Sequence, residues 1–281
     1  MAITPAATWL TQGGWDGGYS ARAYWLHENP TATVRVLEFS WGDDGVRTFT
    51  GYGAATVSLE AGVDPAVYPT LEPVSSGALT ISTEGAADDP LSLGLWANWP
   101  DGGATEIGGR PPARTEEVLP TPVLPGVTFT AVAETASNPL RAAWRAGLAA
   151  TSTHTLSLPA PAVFTSPSSG ATVGGSTEFT FSAVPRAIYV VAFEPTDPRS
   201  RLYVVTRSNT VRMPDLSWAG VLPPSGSVTA AVSAVGPFAS MDAATAAPLA
   251  VLPRAQAPWV AHRLPPRDGF VTRHTLDVQV Q

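Results

Sequence analysis

The chain has 281 residues, 16 Arg, 23 Asp plus Glu, a formal net charge of −7 and no Cys. That balance opposes a phosphate-binding surface, because no basic cluster is present to replace condensed counterions. The missing Cys excludes a disulfide framework, Cys-ligated zinc and a thiol nucleophile. None of the basic residues is Lys, which excludes a P-loop of the Gly-x-x-x-x-Gly-Lys type. The all-Arg, Ala/Pro/Gly/Thr-rich composition reads as high-GC coding bias.

The length exceeds one typical domain, so two or three modules are expected. With 25 Gly and 28 Pro the chain is punctuated too often for long helices, and an all-β class follows. The first residues lack a basic n-region and an apolar h-region, so no secretory signal is read in the given chain. Apolar runs such as Ile188 to Phe193 fall far short of a membrane-spanning helix.

In chain order, Thr33 to Phe39 alternates with period 2, and Trp41-Gly-Asp-Asp-Gly45 turns it into Val46 to Thr50, a predicted β-hairpin. Ala55 to Glu60 is read as a further strand, and Gly62 to Pro73 as a loop. A first module is expected over residues 1–75. The same grammar recurs in Ala78 to Ser82, Leu91 to Trp99, Val127 to Val132 and Thr153 to Leu158, predicting a sandwich over 76–158. Within it, Pro139 to Ala150 places Leu140, Trp144, Gly147 and Leu148 at helical spacing, so a short helix is expected there.

Pro159-Ala-Pro161 marks a linker and a boundary, with the third module expected over 159–281. Beyond it come Glu178 to Pro185, Ile188 to Phe193, Arg201 to Thr206, Thr210 to Met213 and Ser227 to Val235. Finally, Phe270 to Val280 alternates as a last strand, expected to join an existing sheet, with that of the first module as the candidate.

The opening Ser166-Pro-Ser-Ser-Gly170, the aromatic positions Phe179 and Phe181, the short Val184-Pro185 turn and a long central hairpin together resemble a fibronectin type III or immunoglobulin-like module. The resemblance covers about residues 162–248. It departs from the family where Phe181 stands near the usual core Trp and Val228 where a corner Tyr is usual. Residues 76–158 are similar in grammar to the immunoglobulin-like or transthyretin-like modules of secreted proteins from high-GC bacteria. The resemblance implies a non-enzymatic, extracytoplasmic protein of the cell surface or envelope, with structural or adhesive use.

Chemistry-bearing motifs are sparse. The four His, at 27, 154, 262 and 274, never pair at i, i+2 or i, i+4, so no zinc helix is expected. No Gly-x-Ser-x-Gly elbow occurs, and Ser75-Ser76-Gly77 and Ser168-Ser169-Gly170 read as turns. Asp43-Asp44, Asp88-Asp89 and Glu116-Glu117 are adjacent carboxylates, which point to opposite faces of a strand and read as turn or surface chemistry. No cofactor, metal or catalytic residue is therefore expected.

The nine Trp are the remaining candidates. Trp9, Trp15, Trp25 and Trp41 crowd the N-terminal segment, where exposed aromatic faces could stack on sugar rings. Trp96, set among Leu91, Leu93 and Leu95, reads as core. Three functions are carried forward: a surface structural or adhesive protein with a protein or glycan partner, a carbohydrate-binding module using those four Trp, and a virion or filament subunit. No feature of the sequence specifies an oligomeric state.

Overall fold

In a computed structural model of the chain, the described residues are 31–281, less 44–45, 59, 61–62, 64–65, 86–90, 103, 111–114, 197–200, 222–223 and 246–267, together with the backbone of 2–4, 7–10 and 21–24. The class is all-β. The described helical elements are a five-residue α-helix at Met241–Thr245 and a single 3-10 turn at Ser217–Ala219.

At the N-terminus, β1 (Ala2–Thr4), β4 (Thr31–Trp41), β5 (Arg47–Ser58) and β6 (Glu72–Pro73) form one sheet, and β2 (Ala7–Leu10) pairs with β3 (Ala21–Tyr24). The hairpin expected at Trp41 to Gly45 is present, with a bulge between Glu38 and Phe39. Ala55 to Ser58 is not a separate strand. It continues β5 through Gly51 and Gly53, two positions that require glycine because a Cβ would stand 2.8 Å from Glu38 and 2.6 Å from Thr70.

The middle of the chain supplies β7 (Ser75–Glu84), β8 (Leu91–Asn98), β9 (Ala104–Arg110), β10 (Glu116–Val123), β11 (Thr128–Thr135), β12 (Leu140–Leu148) and β13 (Thr153–Ser157). They lie in two layers, ordered β10-β7-β13 and β12-β11-β8-β9. Alternation puts Leu79 and Ile81 of one layer against Leu93, Leu95, Phe129 and Ala131 of the other, all at most 2% exposed.

The helix expected over Pro139 to Ala150 is a correction: the segment is β12. Ala142 and Ala143 are buried on opposite faces between β11 and β21 (Gly269–Val280), and a strand bonded on both sides outweighs the helix preference of an Ala-rich sequence. Pro120 and Pro122 sit in β10, tolerated because β10 is an edge strand whose lost N–H groups break no ladder.

The C-terminal strands repeat this order. One layer is β14 (Phe164–Ser166), β16 (Glu178–Phe181) and β19 (Thr210–Arg212), and β17 (Ile188–Pro195), β18 (Leu202–Thr206), β20 (Gly226–Gly236) and β21 supply the other. β15 (Thr172–Val173) leaves the first layer to run parallel to the end of β21. Their core is aromatic: Phe179 packs 5.0 Å from Phe193, and Phe181 4.8 Å from Tyr189. The hydroxyl of buried Tyr189 accepts from the amide of Val184 at 2.7 Å and donates to its carbonyl at 3.2 Å.

β21 decides the architecture. It pairs antiparallel with β20 from Gly226 to Gly236, and its first residues pair with β12, Gly269 with Trp144 and Arg273 with Leu140. The partner is thus the middle segment rather than the N-terminal one. Nine strands form one sheet backing both cores. Trp96, Val132, Ala142, Trp144, Val235 and Val271 make a third apolar cluster. Trp96 is buried as expected, but in this cluster and not beside Leu93 and Leu95, because neighbouring residues of a strand face opposite ways.

The Pro159 to Pro161 linker is held to the same strand. The amide of Ala162 donates to Oγ1 of Thr272 at 3.1 Å, that of Phe164 to Nδ1 of His274 at 3.2 Å, and Oγ of Ser182 donates to the carbonyl of Pro161 at 2.9 Å. Burial holds the His274 pKa below its ordinary value of 6.5, and an imidazole accepting at Nδ1 must be neutral there.

The folded state therefore resists a proton that the unfolded state accepts. Stability contributed by this site is complete above the ordinary His range and is lost as pH falls through it towards the lowered folded value. His154 is shifted the same way, by burial and Arg145. Chemical denaturation between pH 7.5 and 5 is expected to show falling stability, with a shallower slope in His274→Gln. An unchanged slope in that variant would show that His274 does not carry the effect.

Candidate functional site

The site is built on the β4–β5 hairpin. Arg35, Leu37, Phe39 and Trp41 alternate along β4, so all four lie on one face. Across the hairpin, Leu37 opposes Tyr52, Phe39 opposes Phe49, and Trp41 opposes Arg47. This face lies on the middle core. Phe49, 2% exposed, enters it, and Leu37 and Tyr52 pack against it.

At one end, Arg35 is buried, ion-paired with Asp101 and placed 4.9 Å over the ring of Trp99. Trp99 stacks on Tyr52 at 6.0 Å and donates from Nε1 to Oγ1 of Thr105 at 3.0 Å. That end is structural: Arg35 and the Trp99 indole N–H both find partners within the fold.

At the other end the same stripe runs past β9 into solvent. Phe39 is 41% exposed and Trp41 62%. The two rings meet edge to face at 5.7 Å. The guanidinium carbon of Arg47 sits 4.4 Å from the Phe39 ring centroid and 5.1 Å from that of Trp41, within cation–π range.

Arg47 Nη1 donates to the carbonyl of Ile107. Ile107 lies at the β8–β9 register shift, the extra residue of a bulge whose backbone the ladder leaves unpaired. The arginine thus occupies the carbonyl of that bulge. Burial lowers its pKa below the ordinary guanidinium value, and it remains a cation.

Among the described residues Arg47 has no carboxylate partner. Arg35, Arg145 and Arg212 instead pair with Asp101, Asp268 and Glu178. Asp43, in the hairpin turn, is exposed, and Glu38 accepts from the Thr50 hydroxyl on the opposite face.

Of the four Trp read from the sequence, Trp41 alone has a described side chain. Trp9 lies in β2, where its backbone pairs with Arg22, and its side chain is outside the described residues, as are Trp15 and Trp25. Sequence reading missed Phe39 and Arg47. The period-2 stripe Arg35-Leu37-Phe39-Trp41 could have found Phe39. Arg47 needed the cross-strand register.

The other exposed aromatic side chains among the described residues are Tyr68, 89% exposed, Trp218 and Tyr203. Trp218, 83% exposed, is carried on the 3-10 turn, where Asp215 accepts from the Ser217 amide at 3.0 Å. Tyr203 and Val205, 57% and 53% exposed, face outward from β18, the edge strand at one end of the nine-stranded sheet.

Among the described residues no three His, Asp or Glu side chains gather as a metal site, and no helix is long and apolar enough to cross a membrane. Of the paired carboxylates, Glu116 and Glu117 lie on β10, where Glu116 accepts from the Ser82 hydroxyl. Asp44, Asp88 and Asp89 fall outside the described residues.

Replacing Arg47 with Met keeps the apolar stem but unpairs a bulge carbonyl. A loss of about 1–2 kcal/mol is expected by urea denaturation. No change would mean that Arg47 only decorates the hairpin.

No known family, curated protein or solved structure matches the chain.

Proposed function

We propose that the chain is a non-enzymatic adhesion-type structural protein of the cell surface or envelope, built from immunoglobulin- or fibronectin III-like sandwiches. The observation that carries this reading is β21, which joins two cores through one sheet and so makes them a stiff spacer instead of beads on a linker. Such a body holds an adhesive face at a fixed distance and orientation.

The family reading rests on strand order. In the C-terminal unit three strands face four, as in a seven-stranded immunoglobulin-like sandwich, and the chain switches sheets between β14 and β15. The middle unit repeats the same pairing, with β13 parallel to β7 where β14 runs antiparallel to β16. The overhanging Phe39, Trp41 and Arg47 are the adhesive element, since Trp and Arg dominate binding hot spots.

An antibody against the chain is expected to label intact cells that make the protein. Labelling only after lysis would overturn the surface reading. The open edge of β18 favours a second reading, a self-assembling subunit: out-facing Tyr203 and Val205 carry no Pro or bulge to block strand addition. Light scattering would then show a mass that grows with concentration and reverts in Val205→Lys.

A further inference from the structure

The overhang carries a feature that adhesion alone does not require. Arg47 is half-buried between two rings, and its only hydrogen-bond acceptor among the described residues is the neutral carbonyl of Ile107. A guanidinium has five N–H donors, so most of its capacity is unspent. A desolvated cation without a counterion is costly, and in a chain with more acids than bases a partner was readily available. Beside it, Trp41 exposes 62% of its surface.

We propose that Trp41, Phe39 and Arg47 bind a uronic-acid residue of an acidic glycan. The pyranose ring lies on the open indole surface, and its carboxylate takes the unspent donors of Arg47. This rests on the adhesive reading above and names its ligand class.

Two observations favour a sugar over an acidic peptide. A peptide adding to β9 needs free backbone groups along the edge, and the register shift at Ile107, with its carbonyl already bonded to Arg47, interrupts that edge. A peptide side chain also needs a pocket, whereas Trp41 and Phe39 offer an open surface, which suits the apolar C–H face of a pyranose chair. Exposed Asp43 lies near the site, so a ligand of single, spaced carboxylates fits better than a densely charged polyanion.

The test uses the full chain in isothermal titration with a tetragalacturonate, against the neutral tetragalactose of the same length. Saturable binding of the acidic sugar is expected, weaker by about tenfold or more for the neutral one. Trp41→Ala, a substitution at an exposed position, is expected to abolish binding while leaving the melting temperature unchanged. Arg47→Lys, which keeps the charge but loses the fork, is expected to retain part of the affinity, and Arg47→Gln to retain none of the preference for the acidic sugar.

Equal affinity for both sugars, or full binding by Trp41→Ala, overturns the proposal. So does binding of a Glu-containing peptide in place of the uronate. Surface labelling of intact cells together with no uronate binding defeats this inference alone. Labelling only after lysis defeats the adhesive reading itself, whatever the titration shows.

Discussion

Replacing Phe193 with Ala is expected to destabilise the protein by about 3–5 kcal/mol and to lower the midpoint of a tryptophan-fluorescence transition that reports on a different core. Phe193 is fully buried in the C-terminal core, packed on Phe179. Removing its ring leaves a cavity that the neighbouring β-branched and aromatic side chains cannot fill.

The described buried tryptophans, Trp96, Trp99 and Trp144, all lie in the middle segment, in or directly after its strands. If β21 couples the cores, unfolding one frees the strand that the other needs, and both melt together. Calorimetric and van't Hoff enthalpies are then expected to agree. A fluorescence midpoint unmoved by Phe193→Ala, with a second transition seen by calorimetry, would show that the shared strand does not couple them.

Gly269→Ala is the second large effect expected. Gly269 is the first residue of β21 and lies opposite Trp144 on β12, whose indole folds over it. A Cβ there would stand 2.3 Å from Cζ2 and 2.6 Å from Cε2 of that ring. The ring cannot simply move aside, because it is 3% exposed and belongs to the apolar cluster with Val235 and Val271.

Overpacking of this kind costs about 1–3 kcal/mol. It falls at the junction where β12 meets β21, so it weakens the seam between the cores. Trp144→Phe removes the atoms that clash. It is expected to cost stability alone yet to recover part of the loss in the Gly269→Ala background, a favourable coupling in a double-mutant cycle. Strict additivity of the two substitutions would show that ring and glycine do not meet.

Much of the architecture was legible in local pattern. Thr33 to Phe39, Leu91 to Trp99 and Phe270 to Val280 alternate strictly enough to be read as strands, and the Trp41 to Gly45 turn joins its hairpin as expected. The misreadings have physical causes. β12 was read as a helix because Leu140, Trp144 and Leu148 recur every four residues, a spacing that a strand buried on both faces also permits. β9 and β10 carry no strand signal in the sequence because Gly108-Gly109 and the Pro120 and Pro122 pair are turn chemistry, tolerated in edge strands.

The site was half legible. Trp41 could be nominated as an exposed aromatic from composition and crowding alone, and the alternation of β4 could have added Phe39 on the same face. That Arg47 would lie between them, held to a bulge in a strand 60 residues away, depends on the register of two hairpins at once. Nothing local to Arg47 encodes it.

By itself the sequence determined the all-β class, the positions of most strands and the buried side of each, because alternation and turn chemistry are read over a few residues. Tertiary structure decided which strands are neighbours. β21 could have paired with any open edge its alternation allowed. It joined β20 and β12 because Thr272 and His274 accept the linker amides, Val271 completes the cluster with Trp96 and Trp144, and Leu276, Val278 and Val280 close the C-terminal core. Contacts between residues more than a hundred positions apart leave no periodicity in the chain, and they make the two cores one body.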